Sequence, residues 1–246
     1  MTQTRRALLA ASLLALAACG GASPYQGMEA DALFRLAQTE LESGDRDDAI
    51  EALDRLLLAF GDWPRVPEAR LLLARIHFDA EEYLTARAEY QRFLDRHSGH
   101  PSTPDAALGI CRSLAALAPE PERDQGYTEE AIANCRNVVV DYGGLPQAQE
   151  AADISNGLRT TLAEKDYRTG EFYTRRRLHD SAIIYYQRVA DLYPETDWAP
   201  MSLLGVYQAN VAIGYDDLAE EARELLLSRY PESESAIEVR GNGTER

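Results

Sequence analysis

Cations are scarce in this chain of 246 residues: 25 lysines and arginines face 41 aspartates and glutamates, for a formal charge of -16. A nucleic-acid binder has the opposite balance, so that class of partner is excluded. Only four histidines and three cysteines occur. There is no glycine-rich phosphate loop, no HExxH and no GxSxG. His97 and His100 stand three apart, yet His97 ends a helical pattern and His100 precedes Pro101. The structural reading of that pair outweighs a metal site. Acidic neighbours such as Asp47 and Asp48, or Glu81 and Glu82, fall in turns and first helical turns, where carboxylates favour the helix dipole. Nothing pairs them as acid and base, and the expectation is a non-enzyme without a cofactor or metal. Beyond residue 18 no run is long and apolar enough to cross a membrane.

What is present is a repeat. In Ser181 to Pro194, SAIIYYQRVADLYP, apolar residues fall at Ala182, Ile183, Tyr186, Val189, Ala190 and Tyr193. That spacing lays one continuous stripe along an α-helix, and the proline stops it. The same offsets recur from Ala49 to Phe60 and from Ala131 to Tyr142, with looser copies from Ala86 to His97 and Ala219 to Tyr230. In each copy a small alanine precedes a ring by eleven residues. Ala37, Ala74 and Gly170 lie twelve residues before the anchors Ala49, Ala86 and Ala182, across turns read at Ser43 to Asp45, Asp79 to Glu81 and Leu178 to Asp180. Small residues placed so let two antiparallel helices approach closely. The expected fold is all-α, a solenoid of five helix pairs that resemble the tetratricopeptide repeat and stack into an elongated superhelix with a concave binding surface. One body with a weak seam at its middle is expected.

The first residues have another purpose. Arg5 and Arg6 precede a short apolar run, Ala7 to Ala18, built like an export signal and ending Leu16-Ala17-Ala18-Cys19. That ending resembles a bacterial lipobox, so residues 1–18 read as a cleaved signal and Cys19 as the acylated new N-terminus. The resemblance implies a lipid anchor, and Gly20 in place of aspartate implies the outer membrane. Residues 19–27 read as a flexible tether. Repeats one and two then occupy 28–104, and repeat three with a loop at Pro119 and Pro121 occupies 105–145. A long helix with repeats four and five occupies 146–235, and 236–246 reads as a disordered tail. Thr128 is read as the cap of the helix after the loop.

Cys111 and Cys135 lie on the two helices of repeat three, in a compartment inferred to be oxidising. A disulfide and a pair of small core residues both stay open at this point. One cationic cluster stands against the acidic background: Arg168, Arg175, Arg176 and Arg177. Guanidinium groups gathered this way suit an acidic partner surface, whereas pairing with Glu164, Asp166 and Glu171 would make them a solvated face. Tyr173 and Tyr185 are interface candidates beside the core rings Tyr186 and Tyr193.

Specific strings carry a resemblance over nearly the full length. They are Tyr90-Gln91-Arg92-Phe93-Leu94 with His97 and Pro101, Asp124 to Ala131, Leu158-Arg159 with Leu162-Ala163, Gly170-Glu171-Phe172-Tyr173, Arg176, and Tyr193-Pro194. With the lipobox, the chain resembles the BamD family, lipoproteins of the outer-membrane β-barrel assembly machinery. It departs from the family where Gly61, Ser98 and Gly143 replace a common proline, and at Tyr185, which looks basic in some relatives. The resemblance implies a scaffold on the periplasmic side of the outer membrane. Its C-terminal repeats would bind the periplasmic domain of BamA, with Arg168, Arg176, Arg177 and Tyr185 as partner-binding residues. Its N-terminal repeats, near Phe60, would receive unfolded outer-membrane proteins, and other assembly-machine lipoproteins would join it. A tetratricopeptide adaptor lipoprotein in peptidoglycan or polysaccharide handling is the alternative reading.

Overall fold

A computed structural model describes residue 25 and residues 27–242; Cys19, the signal segment and most of the expected tether lie outside the described residues. Among the described residues all regular structure is helical. The helices are α1 (Ala30–Ser43), α2 (Arg46–Ala59), α3 (Val66–Asp79), α4 (Tyr83–Arg96), α5 (Thr103–Ala116), α6 (Gly126–Asp141), α7 (Pro146–Arg175), α8 (His179–Leu192), α9 (Trp198–Ile213), α10 (Asp216–Arg229) and α11 (Glu234–Asn242). In chain order α1 to α10 make five helix pairs. The chain forms two compact units divided between Ile76 and His77, not at the middle. The division falls there because Leu33, Phe34, Leu53, Leu56, Leu73 and Ile76 already close one apolar cluster among themselves.

The repeat is visible in its two recurring ends. Phe60, His97, Tyr142, Tyr193 and Tyr230 each follow the second helix of a pair, with φ between -123° and -134°. Each donates its backbone N–H to the carbonyl four residues earlier, at 2.8 to 3.0 Å. A bulky ring stops the helix at the same point five times, and the anchors Ala49, Ala86, Ala131, Ala182 and Ala219 are all buried. Within four of the pairs the turn holds one residue in the left-handed region: Gly44, Glu81, Arg177 and Gly214, with φ of 89°, 61°, 59° and 79°. The next residue donates to the carbonyl five back, from Asp45 to Glu40, Glu82 to His77, Leu178 to Tyr173 and Tyr215 to Asn210. This Schellman closure satisfies carbonyls that a helix end leaves without partners. It also moves the fourth turn to Arg176–Leu178, two residues before the Leu178 to Asp180 read from the sequence.

The first unit begins earlier than the sequence suggests. Tyr25, placed in the expected tether, is buried against the cluster of α1 and α2, and burial with nearby Asp48 raises its phenol pKa. Arg65 lies over the Phe34 ring at 4.4 Å, and the ring centroids of Phe34 and Trp63 are 5.4 Å apart. Phe60 is half-buried beside them and packs on the same cluster.

In the second unit consecutive helices pack in order from α4 to α11. The loop between α5 and α6 is knit by buried Gln125, whose amide nitrogen donates to the carbonyls of Glu120 (2.9 Å) and Arg123 (3.1 Å). Helix α6 consequently starts at Gly126. Thr128 lies inside it, its hydroxyl donating to Gln125 Oε1 at 2.7 Å, so Thr128 is not the cap that the sequence suggested. The segment read as a tail, 236–246, contributes instead to α11 as far as Asn242, because Ala236 and Val239 are buried against Leu203 and Leu226.

Cys111 on α5 and Cys135 on α6 are joined by a disulfide, with Cα atoms 4.9 Å apart, inside a core with Leu108, Val138 and Ala151. Closing a 24-residue separation restricts the unfolded chain by about 3 kcal/mol. Reduction, or replacement of both cysteines by alanine, is expected to lower the urea midpoint accordingly. Mass spectrometry of the unreduced protein showing two free thiols would contradict the bond.

Candidate functional site

Helix α7, 30 residues long, extends ~45 Å at 1.5 Å per residue, and its C-terminal half carries both the contacts to the insertion loop and the arginine cluster. The sequence grouped Arg168 with Arg176 and Arg177; the structure separates them. Arg168 Nη1 donates to Glu122 in the loop at 2.6 Å, and its other terminal nitrogen pairs with Glu164. Lys165 Nζ donates to the Arg123 carbonyl at 3.3 Å. Arg168 is therefore engaged in holding the loop on α7. Arg175 stands 4.0 Å from Glu171, a loose pairing.

Arg176 and Arg177 are exposed at the end of α7. The Arg176 guanidinium lies over the Phe172 ring, 4.0 Å from its centroid. Phe172 meets Tyr173 edge on at 5.4 Å, and Tyr173 stacks on Tyr185 of α8 at 5.4 Å with planes 15° apart. Arg188 covers Tyr185 at 4.8 Å. Its guanidinium is forked onto buried Asp166, Nε to Oδ2 at 2.7 Å and Nη2 to Oδ1. That hydrogen bond is the main reason the Arg188 pKa is raised. The result is one ladder, Arg176, Phe172, Tyr173, Tyr185, Arg188 and Asp166, running from the end of α7 across α8. Phe172 and Arg188 were not singled out from sequence. Their signal was the spacing of neighbours on a helix: Phe172 with Arg176 four apart, Tyr185 with Arg188 three apart.

The ladder rests on a rigid support. Tyr186 is buried between two glycines: a Cβ on Gly170 of α7 would come within 2.5 Å of its ring, and one on Gly205 of α9 within 2.7 Å. Its hydroxyl lies 3.2 Å from Thr174 Oγ1, and burial raises its pKa. Tyr167, 5.5 Å from Tyr186 between centroids, is pushed up to about 12 by burial. Arg177 keeps a left-handed φ of 59° at a turn position where Gly44 and Gly214 serve two sister repeats and Glu81, with a φ of 61°, serves a third. A side chain there costs roughly 1 kcal/mol relative to glycine. Exposed Leu178 and Ile184 flank the arginines and Tyr185 in sequence. Stacked tyrosines and arginines, rigidly held and partly exposed, have the composition of a protein-binding hot spot. No group of three or more histidines, cysteines or carboxylates able to hold a metal exists among the described residues.

Fold and ladder together define a tetratricopeptide-like helix-pair protein with a ladder of arginine and aromatic side chains on its fourth repeat. The chain belongs to the YfiO outer membrane lipoprotein family, whose model matches residues 26–226. It is similar to the outer membrane protein assembly factor BamD of Vibrio cholerae, 27% identical over 91% of this chain and 97% of that one. The protein of the same name from Caulobacter vibrioides is 24% identical over 93% of this chain and 78% of its own length. Among solved structures, the TPR2AB domain of yeast Sti1 is similar at 13% identity and a TM-score of 0.46, over 82% of this chain and 78% of that one. MamA is similar at 18% identity and a TM-score of 0.36, over 81% of this chain and 91% of that one.

Proposed function

We propose that this chain is a non-catalytic scaffold lipoprotein of the outer-membrane β-barrel assembly machinery. The family match over residues 26–226 carries the reading, and BamD relatives aligned along more than nine-tenths of the chain support it. In this reading Cys19 bears the acyl chains that hold the protein on the periplasmic face of the outer membrane, with other assembly-machine lipoproteins alongside. The ladder built on Arg176 and Tyr185, with Arg177 beside it, binds the periplasmic domain of BamA. Arg168 contributes by fixing the loop at 117–125. Unfolded outer-membrane proteins meet the first repeats near Phe60, where Trp63 and Arg65 widen an aromatic and cationic surface suited to extended apolar segments.

The test is an affinity pull-down of the lipidated protein from gently solubilised outer membranes, with partners identified by mass spectrometry. Stoichiometric recovery of a large β-barrel protein with periplasmic repeats is expected. Recovery of cell-wall enzymes without that barrel would overturn the assembly reading. A photo-crosslinker at position 60 is expected to capture nascent barrel peptides, and its failure to do so would remove the assignment of Phe60.

A further inference from the structure

A groove of about 950 Å³ opens in the second unit between the end of α7, the start of α9 and the start of α11. Its floor is apolar. Tyr186 closes it below, and Met201 and Leu204 of α9 line it, Met201 with its side chain partly exposed. Its walls are acidic: Glu171 stands on α7, Asp197 at the entry to α9, and Glu232, Glu234 and Glu238 on and before α11. The one cation in the lining is Arg175, loosely paired with Glu171. Glu234 lies in the first turn of α11 and Asp197 stands at the N-cap of α9, so both gain from the helix dipoles there. That effect does not account for Glu171 or Glu238. Four of the five carboxylates are exposed; Glu238 accepts a hydrogen bond from Gln208 at 3.2 Å, and the five charges together attract a cationic group placed over the apolar floor.

We infer that this groove is a docking site for a cationic polypeptide segment in which basic side chains alternate with apolar ones. Apolar residues of the segment seat against Met201 and Leu204, and guanidinium or ammonium groups reach the carboxylates on either wall. Charge decides among occupants. A second copy of this chain brings a further -16 and is repelled, as is an anionic membrane surface. The site is separate from the arginine ladder and favours the opposite charge, and it does not depend on the function proposed above.

The test uses the full mature chain in a neutral detergent and a fluorescein-labelled eight-residue peptide of alternating arginine and leucine, read by fluorescence anisotropy at low salt. Neutralising the wall with Glu232→Gln, Glu234→Gln and Glu238→Gln is expected to weaken binding about tenfold. The same charge change in the first unit, Asp31→Asn, Asp47→Asn and Asp62→Asn, is expected to weaken it less than about twofold. All six side chains are exposed, so both variants keep their helical circular dichroism. Equal losses in the two variants would mean attraction to overall charge, and no loss in the wall variant would mean a different site; either overturns the inference. Serine in place of each leucine in the peptide is expected to cost a further several-fold, and unchanged affinity would overturn the role of the floor.

Discussion

Tyr186→Ala is expected to destabilise the second unit by about 3 to 5 kcal/mol. The size follows from what surrounds the ring. Tyr186 is 4% exposed and sits on the two helices that flank α8, at positions where Gly170 and Gly205 offer no side chain to move into the gap. The cavity left behind would therefore stay open, and the loss includes both the transfer of the ring and the void. Two companions separate this cause from others. Tyr186→Phe keeps the volume and removes only the 3.2 Å contact with Thr174, so it should cost about 1 kcal/mol or less. Gly170→Ala would drive a methyl group into the ring, and crowding of about 1 to 3 kcal/mol outweighs the ~1 kcal/mol that alanine gains over glycine inside a helix. Urea titrations followed by helical circular dichroism give all three values. A loss below about 1 kcal/mol for Tyr186→Ala would show that the ring is not what holds α7, α8 and α9 together.

The same residue shows how far the sequence could be read. Anchor alanine and terminal ring are set by local helix geometry, eleven residues apart on one face, and the structure repeats them five times. Gly170 was legible because a small residue twelve before an anchor implies a close crossing, and the glycine meets the Tyr186 ring as a crossing requires. What was not legible depends on partners distant in sequence or on backbone conformation. The engagement of Arg168 with Glu122 spans 46 residues, so no local spacing announces it. Gln125 ties the insertion loop through three carbonyls, and a glutamine before a glycine carries no pattern that says so. Helix α11 and Tyr25 were missed for a related reason. Each is a short segment whose order comes from burying one or two side chains on a neighbouring repeat, and short segments have no period to read. Arg177 reads as one of three arginines; only its positive φ distinguishes it.

That conformation leads to the second large effect. Arg176→Glu with Arg177→Glu is expected to weaken binding of the proposed partner, the BamA periplasmic domain, by at least about 30-fold, equivalent to about 2 kcal/mol. Both side chains are exposed, so unfolding midpoints should move little, and the loss would belong to the interface. Arg177→Gly discriminates more sharply. Relieving the left-handed arginine should stabilise the protein by up to about 1 kcal/mol while removing one cation from the contact surface. Stability and affinity would then change in opposite directions, which no general damage to the fold can produce. Arg168→Glu provides the contrast. Its expected consequence is release of the loop at Glu122, seen as faster proteolysis between Pro119 and Gln125, with any loss of affinity smaller than that of the double variant. Co-purification unchanged by the double reversal would remove the ladder from the interface. Arg177 would then stand with Glu81, the other side chain that holds the left-handed region at this turn, as a residue that closes a helix end and does no more.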